Sequence, residues 1–410
     1  MRPEPLNPFR HRDFGLFWGA RFTAILGAQA QAVTLGWQVY AIARETRSVP
    51  EAAFLVGMIG LAQFLPLFLL TLPAGEVADR RDRKTVMALA LLVEALCAAA
   101  LAANALLDRP SLEAIFAVAV AFGAARAFIM PTSTSLGPML VPRALLPRAI
   151  AFNSLAFQTA SIMGPALGGL LVAGSSALSY GVSVGLYGVG AVLLLLIRSN
   201  TRPERQPGSK LALIREGLSY VWRQKIVFGA ISLDLAAVLL GGATALLPVF
   251  ARDVLHAGPD VFGMLRAAPA VGAALVAVVL ARRPIQRFAG SWMFGAVAVF
   301  GLATLLFALS RQVWLSVLAL SVLGAADMVS VFIRQTLIQI VTPDPMRGRV
   351  AAVSTLFIGA SNELGEFESG IAARFLGPVG AAIFGGAGAL AVTGLWAWMF
   401  PDLRRADKLE

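Results

Sequence analysis

Long apolar segments alternate with short polar ones along almost the whole chain. A helix needs about 20 apolar residues to cross a bilayer, and each of these segments is long enough to do so. The pattern predicts an all-α membrane protein with twelve transmembrane helices. The twelve segments cover roughly residues 14–42, 51–78, 85–107, 112–140, 147–173, 177–197, 226–251, 261–281, 288–309, 312–341, 349–376 and 379–400.

Composition supports the same class. Hydrophobic residues make up 58% of the chain and charged residues 14%, and the mean hydropathy is +0.76. These values exclude an ordinary soluble domain. The first segment contains Arg21, Gln29 and Gln31 and is too long for a cleaved signal peptide, so we expect it to remain. Cys97 is the single cysteine, which rules out an internal disulfide.

The net charge of +11 is distributed unevenly between the two predicted sides of the membrane. If the N-terminus is cytoplasmic, 24 of the 34 Lys and Arg residues lie in the tails and even-numbered loops, and only six on the other side. Because cytoplasmic loops are enriched in Lys and Arg, we expect both termini in the cytoplasm. The basic residues therefore indicate membrane lipids as partners and no nucleic acid.

A polar stretch, RSNTRPERQPGSK, separates the sixth and seventh segments. Its Arg, Pro, Gly and Ser content is typical of an exposed linker. The predicted domains are an N-terminal six-helix bundle (1–198), a cytoplasmic linker with an amphipathic helix (199–225) and a C-terminal six-helix bundle (226–410). We expect the amphipathic helix to lie on the membrane surface, with a soluble partner as the alternative.

The two halves are related by a weak internal repeat. A shift of 201 residues aligns Pro142 with Pro343 and Arg148 with Arg349. Two pseudo-symmetric six-helix bundles are a transporter architecture in which the substrate passes between the halves.

The predicted turn between the second and third helices reads GEVADRRDRK. It resembles the signature of the major facilitator superfamily, and the layout of two times six helices resembles that superfamily along essentially the whole chain. LAQFLPLFLLTLPAGEVADR and SNELGEFESG resemble the enterobactin-exporter-like and drug-efflux branch. The resemblance implies a state-dependent gate, whose residues here are Gly75, Asp79, Arg80, Arg83 and Lys84. Asp82 stands where the general pattern has Gly.

Asp79 is the acidic member of this turn. We expect it to face the start of the eleventh helix, where the helix dipole is positive. The alternative is a basic loop that only satisfies the charge bias between the two sides.

The fifth helix contains small residues at four-residue spacing around a proline. Such spacing permits close helix approach. The stretch also resembles the antiporter signature of superfamily exporters, which implies export; ordinary tight packing is the alternative. The residues concerned are Gly164, Pro165, Gly168 and Gly169.

Ionisable residues inside predicted spans are the strongest functional signal, because each costs about 2.5 to 3.5 kcal/mol at the bilayer centre. Glu363 and Glu366 share a helix face and are predicted, with Asp234, to bind protons. Candidates for the substrate cavity are Arg21, Glu94, Arg126 and Asp327. The alternative is a set of ion pairs that fix helix packing, which we favour most for Glu368, Arg266 and Arg334.

We expect a transporter and not an enzyme. The two histidines, His11 and His256, fall on opposite membrane faces, no phosphate-binding loop is present, and no cofactor or metal is expected. The leading hypothesis is a proton-coupled exporter of amphiphilic small molecules, siderophores or drugs, in the bacterial inner membrane as the resemblance implies. The alternatives are an uncoupled facilitator or lipid or lysolipid transporter of the same fold, and a non-transporting membrane receptor.

Overall fold

A computed structural model describes residues 7–203 and 210–407, so residues 204–209 of the predicted linker lie outside the described residues. The described residues form helices and short connections, with no strand among them. The first six helices are α1 (Arg12–Thr46), α2 (Val49–Arg80), α3 (Arg83–Ala105), α4 (Leu112–Leu136), α5 (Leu146–Gly174) and α6 (Ser176–Leu195). The remaining helices are α7 (Lys210–Arg223), α8 (Lys225–Leu240), α9 (Leu247–Val249), α10 (Pro259–Arg282), α11 (Ala289–Leu309), α12 (Val313–Val341), α13 (Asp344–Met399) and α14 (Pro401–Arg404).

The contacts divide the chain into two compact units. The first comprises Met1–Ile42 and Ala62–Pro207, and the second comprises Ala43–Leu61 and Gly208–Glu410. Helix α2 therefore contributes its first residues to the second unit and the remainder to the first. Each unit is described separately below.

Ten helical segments in the described ranges are long and apolar enough to cross a membrane. The protein is therefore a multi-pass membrane protein. Helix α13 is the longest, with 56 residues; at about 1.5 Å per residue it is far longer than the roughly 30 Å of a hydrocarbon core. Its helical geometry is interrupted at Gly377, where φ is 73° and ψ is 165°, a conformation open essentially only to glycine.

Helix α1 is not among these ten segments, because polar side chains lower its hydropathy. Several of these side chains form hydrogen bonds inside the first unit. The Thr34 and Ser179 hydroxyls lie 2.5 Å apart, and the Tyr180 hydroxyl donates to Gln38 Oε1 at 2.7 Å. Both contacts join α1 to α6 with little exposure to solvent. Hydrogen bonds between membrane helices stabilise their association because lipid offers no alternative partner.

Apolar side chains fill the space around these contacts in the first unit. Phe14 and Phe17 of α1, Leu91 of α3 and Leu194 of α6 are fully buried in one cluster. In the same unit, α3 packs against both α4 and α6.

The second unit is closed at one end by α7. Val221 of α7 is buried with Val350 and Val353 of α13, and the Tyr220 hydroxyl donates to the Val341 carbonyl at 3.0 Å. Gly217 allows the approach, since a Cβ there would lie 2.8 Å from the Arg349 carbonyl oxygen. The helix after the linker thus packs on the end of α12 and the start of α13.

The internal repeat is visible in the helix bounds. A continuous helical span of 29 residues runs over Leu112–Leu140 in the first unit and over Val313–Val341 in the second. The offset between them is the 201 residues found in the sequence.

Candidate functional site

Glu366 lies in the part of α13 that precedes Gly377, and it pairs with Arg266 of α10. The distance from Arg266 Nη2 to Glu366 Oε1 is 3.3 Å, and each side chain is 25% exposed. Thr244 joins the pair, because its hydroxyl lies 3.4 Å from Glu366 Oε1 and its carbonyl accepts from Arg266 Nη1 at 3.4 Å. Glu366 therefore has a cationic partner within reach of solvent.

Glycines bring these elements together. Helix α8 ends at Leu240, and a Cβ on Gly242 would lie 2.5 Å from the carbonyl oxygen of Gly365. The connection that carries Thr244 can therefore run directly against α13. Gly60 lies in the part of α2 that belongs to the second unit. It packs against the Glu363 carbonyl and the Glu366 side chain.

The predicted carboxylate pair occupies neighbouring turns of α13. Glu363 and Glu366 are both half-buried, as is Glu368. The sequence suggested that Glu363 and Glu366 would influence each other's protonation; the structure adds Arg266 as a counter-charge for Glu366. Their role in proton coupling stays a prediction.

A second charged cluster lies deeper in the second unit, between α8 and α12. Arg334 forms an ion pair with Asp234, and their side chains are only 2% and 9% exposed. Asp234 also lines a small cavity of about 10 Å³ together with Asp327 and Ser330 of α12. Two residues that we predicted for different roles, Asp234 and Asp327, thus share one cavity.

The first unit has its own charged cluster, around Arg126 of α4. Arg126 Nη1 donates to Gln63 Oε1 at 3.3 Å and interacts electrostatically with Glu94 of α3, which is 2% exposed. The fully buried Tyr187 hydroxyl has no hydrogen-bond partner in the described part of the chain and interacts electrostatically with both charges. Arg21, the fourth residue predicted for the substrate cavity, is half-buried on α1.

The α2–α3 turn is held by its basic residues. Arg83 Nη2 lies 3.9 Å from Asp79 Oδ1, and Arg83 Nη1 donates to the Ser135 carbonyl near the end of α4 at 3.3 Å. Lys84 Nζ donates to the Ile197 carbonyl after α6 at 2.8 Å. Cations at helix C-termini are favourable because they meet the negative end of the dipole.

Two other members of this turn complete the motif. Arg80 pairs with Glu76 at 2.7 Å, and Gly75 is buried. The predicted gate role of these residues remains a prediction.

Asp82, which departs from the superfamily pattern, has a structural task in this turn. It precedes the first residue of α3 and accepts hydrogen bonds from the hydroxyls of Thr201 and Thr85. Asp13 at the start of α1 makes a similar tie, accepting from the Ser199 backbone N–H at 2.7 Å. Burial raises the pKa of Asp13, but the hydrogen bonds from Ser199 and Arg198 outweigh it and hold that pKa below its usual value.

The glycine motif of α5 faces α1 in the first unit. A Cβ on Gly164 would lie 2.5 Å from Gln29 Cβ, and one on Gly168 would lie 2.6 Å from the Ala30 carbonyl oxygen. Pro165 lies inside the helix, and Gly169 is buried beside it. The motif therefore brings the two backbones into direct contact.

The described residues contain no group of three or more His, Cys, Asp or Glu side chains arranged to hold a metal ion.

Known proteins match this chain over nearly its whole length. The sequence profile described as transmembrane secretion effector matches residues 3–410. The chain belongs to the transmembrane secretion effector family. The resemblance to the major facilitator superfamily is confirmed, and the chain is a transporter of that superfamily.

One relative of this chain is the enterobactin exporter EntS of Shigella boydii serotype 18. It is 27% identical over 396 residues, which is 96% of this chain and 93% of the relative. The solved structures include a POT family transporter in complex with 5-aminolevulinic acid, with a TM-score of 0.76, 11% identity and 96% coverage of both chains. A D-xylose-proton symporter has a TM-score of 0.68 at 14% identity and covers 96% of this chain and 98% of its own.

At these identities the structural likeness concerns the fold alone. The chain has the helical fold of major facilitator transporters, and its relatives and structural neighbours are transporters and not enzymes. The expectation that the chain is not an enzyme is therefore confirmed.

The sequence did not identify several polar residues around the charged clusters as members of a candidate site. Thr244, Gln63, Tyr187 and Ser330 are ordinary residues of apolar segments when seen one at a time. Their only signal is a polar group within a predicted span, and it becomes informative once the helix packing is known.

Proposed function

We propose that this protein is a proton-coupled exporter of amphiphilic organic molecules, siderophores or drug-like compounds, working by alternating access. The observation that carries the proposal is the match to enterobactin exporters over 96% of the chain. Buried and half-buried acids inside the helices support proton coupling, because ionisable groups are costly there and are typically kept for function.

The proposed architecture is twelve transmembrane helices in two pseudo-symmetric six-helix bundles, residues 1–198 and 226–410, joined by the linker 199–225. The length of α13, which suffices for two crossings separated at Gly377, supports the count. The repeated 29-residue span supports the symmetry. We place both termini in the cytoplasm and the protein in the bacterial inner membrane, from the distribution of Lys and Arg and the bacterial relatives.

The proposed roles follow the clusters. Glu363, Glu366 and Asp234 bind and release protons, while Arg21, Glu94, Arg126 and Asp327 line the cargo path. The α2–α3 turn and the α5 glycine motif support the conformational change of alternating access. The turn exchanges ion pairs, and the glycines let helices slide past each other at close contact.

Flux into proteoliposomes tests the proposal, with enterobactin as the probe cargo. A pH difference of about two units can sustain about a hundredfold cargo gradient for each proton exchanged, since a tenfold ratio corresponds to about 1.4 kcal/mol. We expect the wild-type protein to concentrate enterobactin against its gradient when the pH difference is imposed. Glu363→Gln and Glu366→Gln should reach only equal concentrations on both sides.

The matched control is Glu45→Gln, which changes the same side chain at an exposed position at the end of α1. It should accumulate enterobactin like the wild type. Equal concentrations in the wild-type vesicles would instead indicate an uncoupled facilitator, and binding without flux would indicate a receptor.

A further inference from the structure

Three side chains near the start of α1 combine two aromatic rings with one positive charge. Trp18, Arg21 and Phe22 are spaced by three and four residues, which places them on one side of the helix. All three are half-buried, so each keeps part of its surface accessible. Aromatic rings offer flat apolar surface, and a guanidinium binds carboxylates through parallel N–H groups. This face of α1 therefore has the chemistry to hold a planar anion.

The two rings of this face are held in position by their neighbours in the first unit. Trp18 and Phe22 are stacked, with 5.5 Å between the ring centroids and 2° between the ring planes. Trp18 Nε1 donates to the Phe152 carbonyl of α5 at 2.9 Å. The ring of Phe9 packs edge-on against both Trp18 and Phe152. Because these rings are already ordered, a ligand that packs on them costs little side-chain entropy.

Arg21 has no counter-charge in the described part of the chain. No hydrogen bond or ion pair joins it to another residue there. The two helices that pack against α1, α5 and α6, contain no Asp or Glu. The acid before it on α1, Asp13, accepts from Ser199, and Glu94 of α3 interacts with Arg126. A charge inside a membrane span is costly unless it is paired, so Arg21 favours an anion from outside the chain.

A lipid phosphate is the other anion within reach of a long basic side chain near a helix end. It would satisfy the charge of Arg21, but it would make no use of the stacked rings of Trp18 and Phe22 on the same face. An aromatic anion uses both features at once. The combination therefore favours an aromatic anion over a lipid headgroup.

We propose that Trp18, Arg21 and Phe22 form a recognition site for the cargo, and that the group bound there is an aromatic ring that carries a carboxylate or another anionic oxygen. The ring packs on the accessible surface of Trp18 and Phe22, and its anionic oxygens accept hydrogen bonds from the Arg21 guanidinium. This inference rests on the proposed export of organic molecules, and it narrows the cargo to aromatic anions.

Saturation-transfer NMR on the purified full-length protein tests the ligand chemistry, in a neutral detergent without added lipid and with protein-free micelles as the blank. Three probes of similar size are titrated at about neutral pH. Benzoate is an aromatic anion, benzyl alcohol is aromatic and neutral, and cyclohexanecarboxylate is an anion without an aromatic ring. We expect benzoate to bind about tenfold more tightly than benzyl alcohol, the ratio that one charge-assisted hydrogen bond supplies. It should bind about threefold more tightly than cyclohexanecarboxylate, which lacks the aromatic contact.

Variants of this face show whether the preferences arise there. Arg21→Gln should lose the preference for benzoate over benzyl alcohol, whereas Arg21→Lys keeps the charge and should retain most of it. Phe22→Leu should lose the preference for benzoate over cyclohexanecarboxylate. The controls are Arg12→Gln, whose side chain is 53% exposed earlier on α1, and Phe157→Leu, which changes a ring that is 49% exposed on α5. Both controls should bind all three probes like the wild type.

Equal binding of benzoate and either other probe by the wild type would overturn the proposal. A preference over benzyl alcohol that persists in Arg21→Gln would do the same. If the preference of the wild type disappears when phosphatidylglycerol is added, Arg21 binds a lipid phosphate and the proposal is wrong. The probe panel on the wild type and on Phe22→Leu remains decisive even if Arg21→Gln does not fold.

Neither enterobactin nor a pH difference is present in this experiment, so its result is separate from the flux assay. A wild-type protein that concentrates enterobactin but shows no preference for benzoate refutes the site and leaves the proposed export standing. The expected preferences together with a missing enterobactin flux refute the proposed enterobactin export and support the site.

Discussion

Arg334 is the largest fully buried side chain in the described part of the chain. Its charge is balanced by Asp234, 100 residues earlier on α8. Taking two charges out of water is costly, and the cost is offset only while both partners remain. This residue pair should therefore be the most sensitive point of the second unit to a single substitution.

Removal of one partner tests this at the residue scale. We expect Arg334→Gln or Asp234→Asn to destabilise the folded protein by about 3 to 5 kcal/mol, because each leaves one buried charge alone. The double variant, Arg334→Gln with Asp234→Asn, should lose much less stability than the sum of the losses in the two single variants. Thermal unfolding in detergent, compared as a double-mutant cycle, measures the coupling.

The exposed pair Arg287–Asp407 provides the control, with side chains that are 66% and 41% exposed. Because water screens such pairs, Arg287→Gln should change the stability by no more than about 1 kcal/mol. Additive effects of Arg334→Gln and Asp234→Asn would show that the pair is not coupled in the folded protein.

At the scale of helices, the contact between α1 and α5 depends on missing side chains. Gly168 lies so close to α1 that a Cβ would be 2.9 Å from Ala30 Cα and 2.6 Å from its carbonyl oxygen. Both atoms belong to the backbone and cannot rotate away. The small residues of the motif therefore set the distance between the two helices.

Gly168→Ala should force α1 and α5 apart. We expect a loss of about 1 to 3 kcal/mol, the usual cost of overpacking, together with reduced enterobactin flux. Gly185→Ala on α6 is the matched control, since a Cβ there meets nothing within 4 Å and Ala favours the helix. A Gly168→Ala protein as stable and active as Gly185→Ala would contradict the role given to the motif.

At the scale of the whole molecule, the helices followed from the sequence more directly than the site. Apolar length predicted the ten segments that the structure shows as long apolar helices. The interruption of α13 falls at the Gly377–Pro378 step, because Gly377 adopts a positive φ and Pro378 lacks an N–H. Segment 14–42 was predicted as a span, but α1 is not among the ten helical segments that are apolar enough. Its buried Gln38 and Thr34 lower its hydropathy, and their hydrogen bonds to α6 are visible only in the structure.

The site was predictable only as a set of candidates. Mid-span charges are conspicuous in a single sequence, but their partners lie far away in the chain: Arg266 and Glu366 are 100 residues apart, as are Asp234 and Arg334. The spacing of residues along one helix shows which of them share a face. It does not show which residues of another helix they contact. Only the structure showed that Asp327 shares a cavity with Asp234.

The central claim is that cargo and protons cross in opposite directions through one protein. Vesicles that contain the wild-type protein and a pH-sensitive dye in the lumen test it most directly, with an enterobactin gradient as the only driving force. Because exchange is reversible, entry of enterobactin should drive protons outward and raise the lumenal pH. The shift should be absent from protein-free vesicles and from Glu366→Gln. Enterobactin entry through the wild-type protein with no protein-dependent change in lumenal pH would contradict the claim.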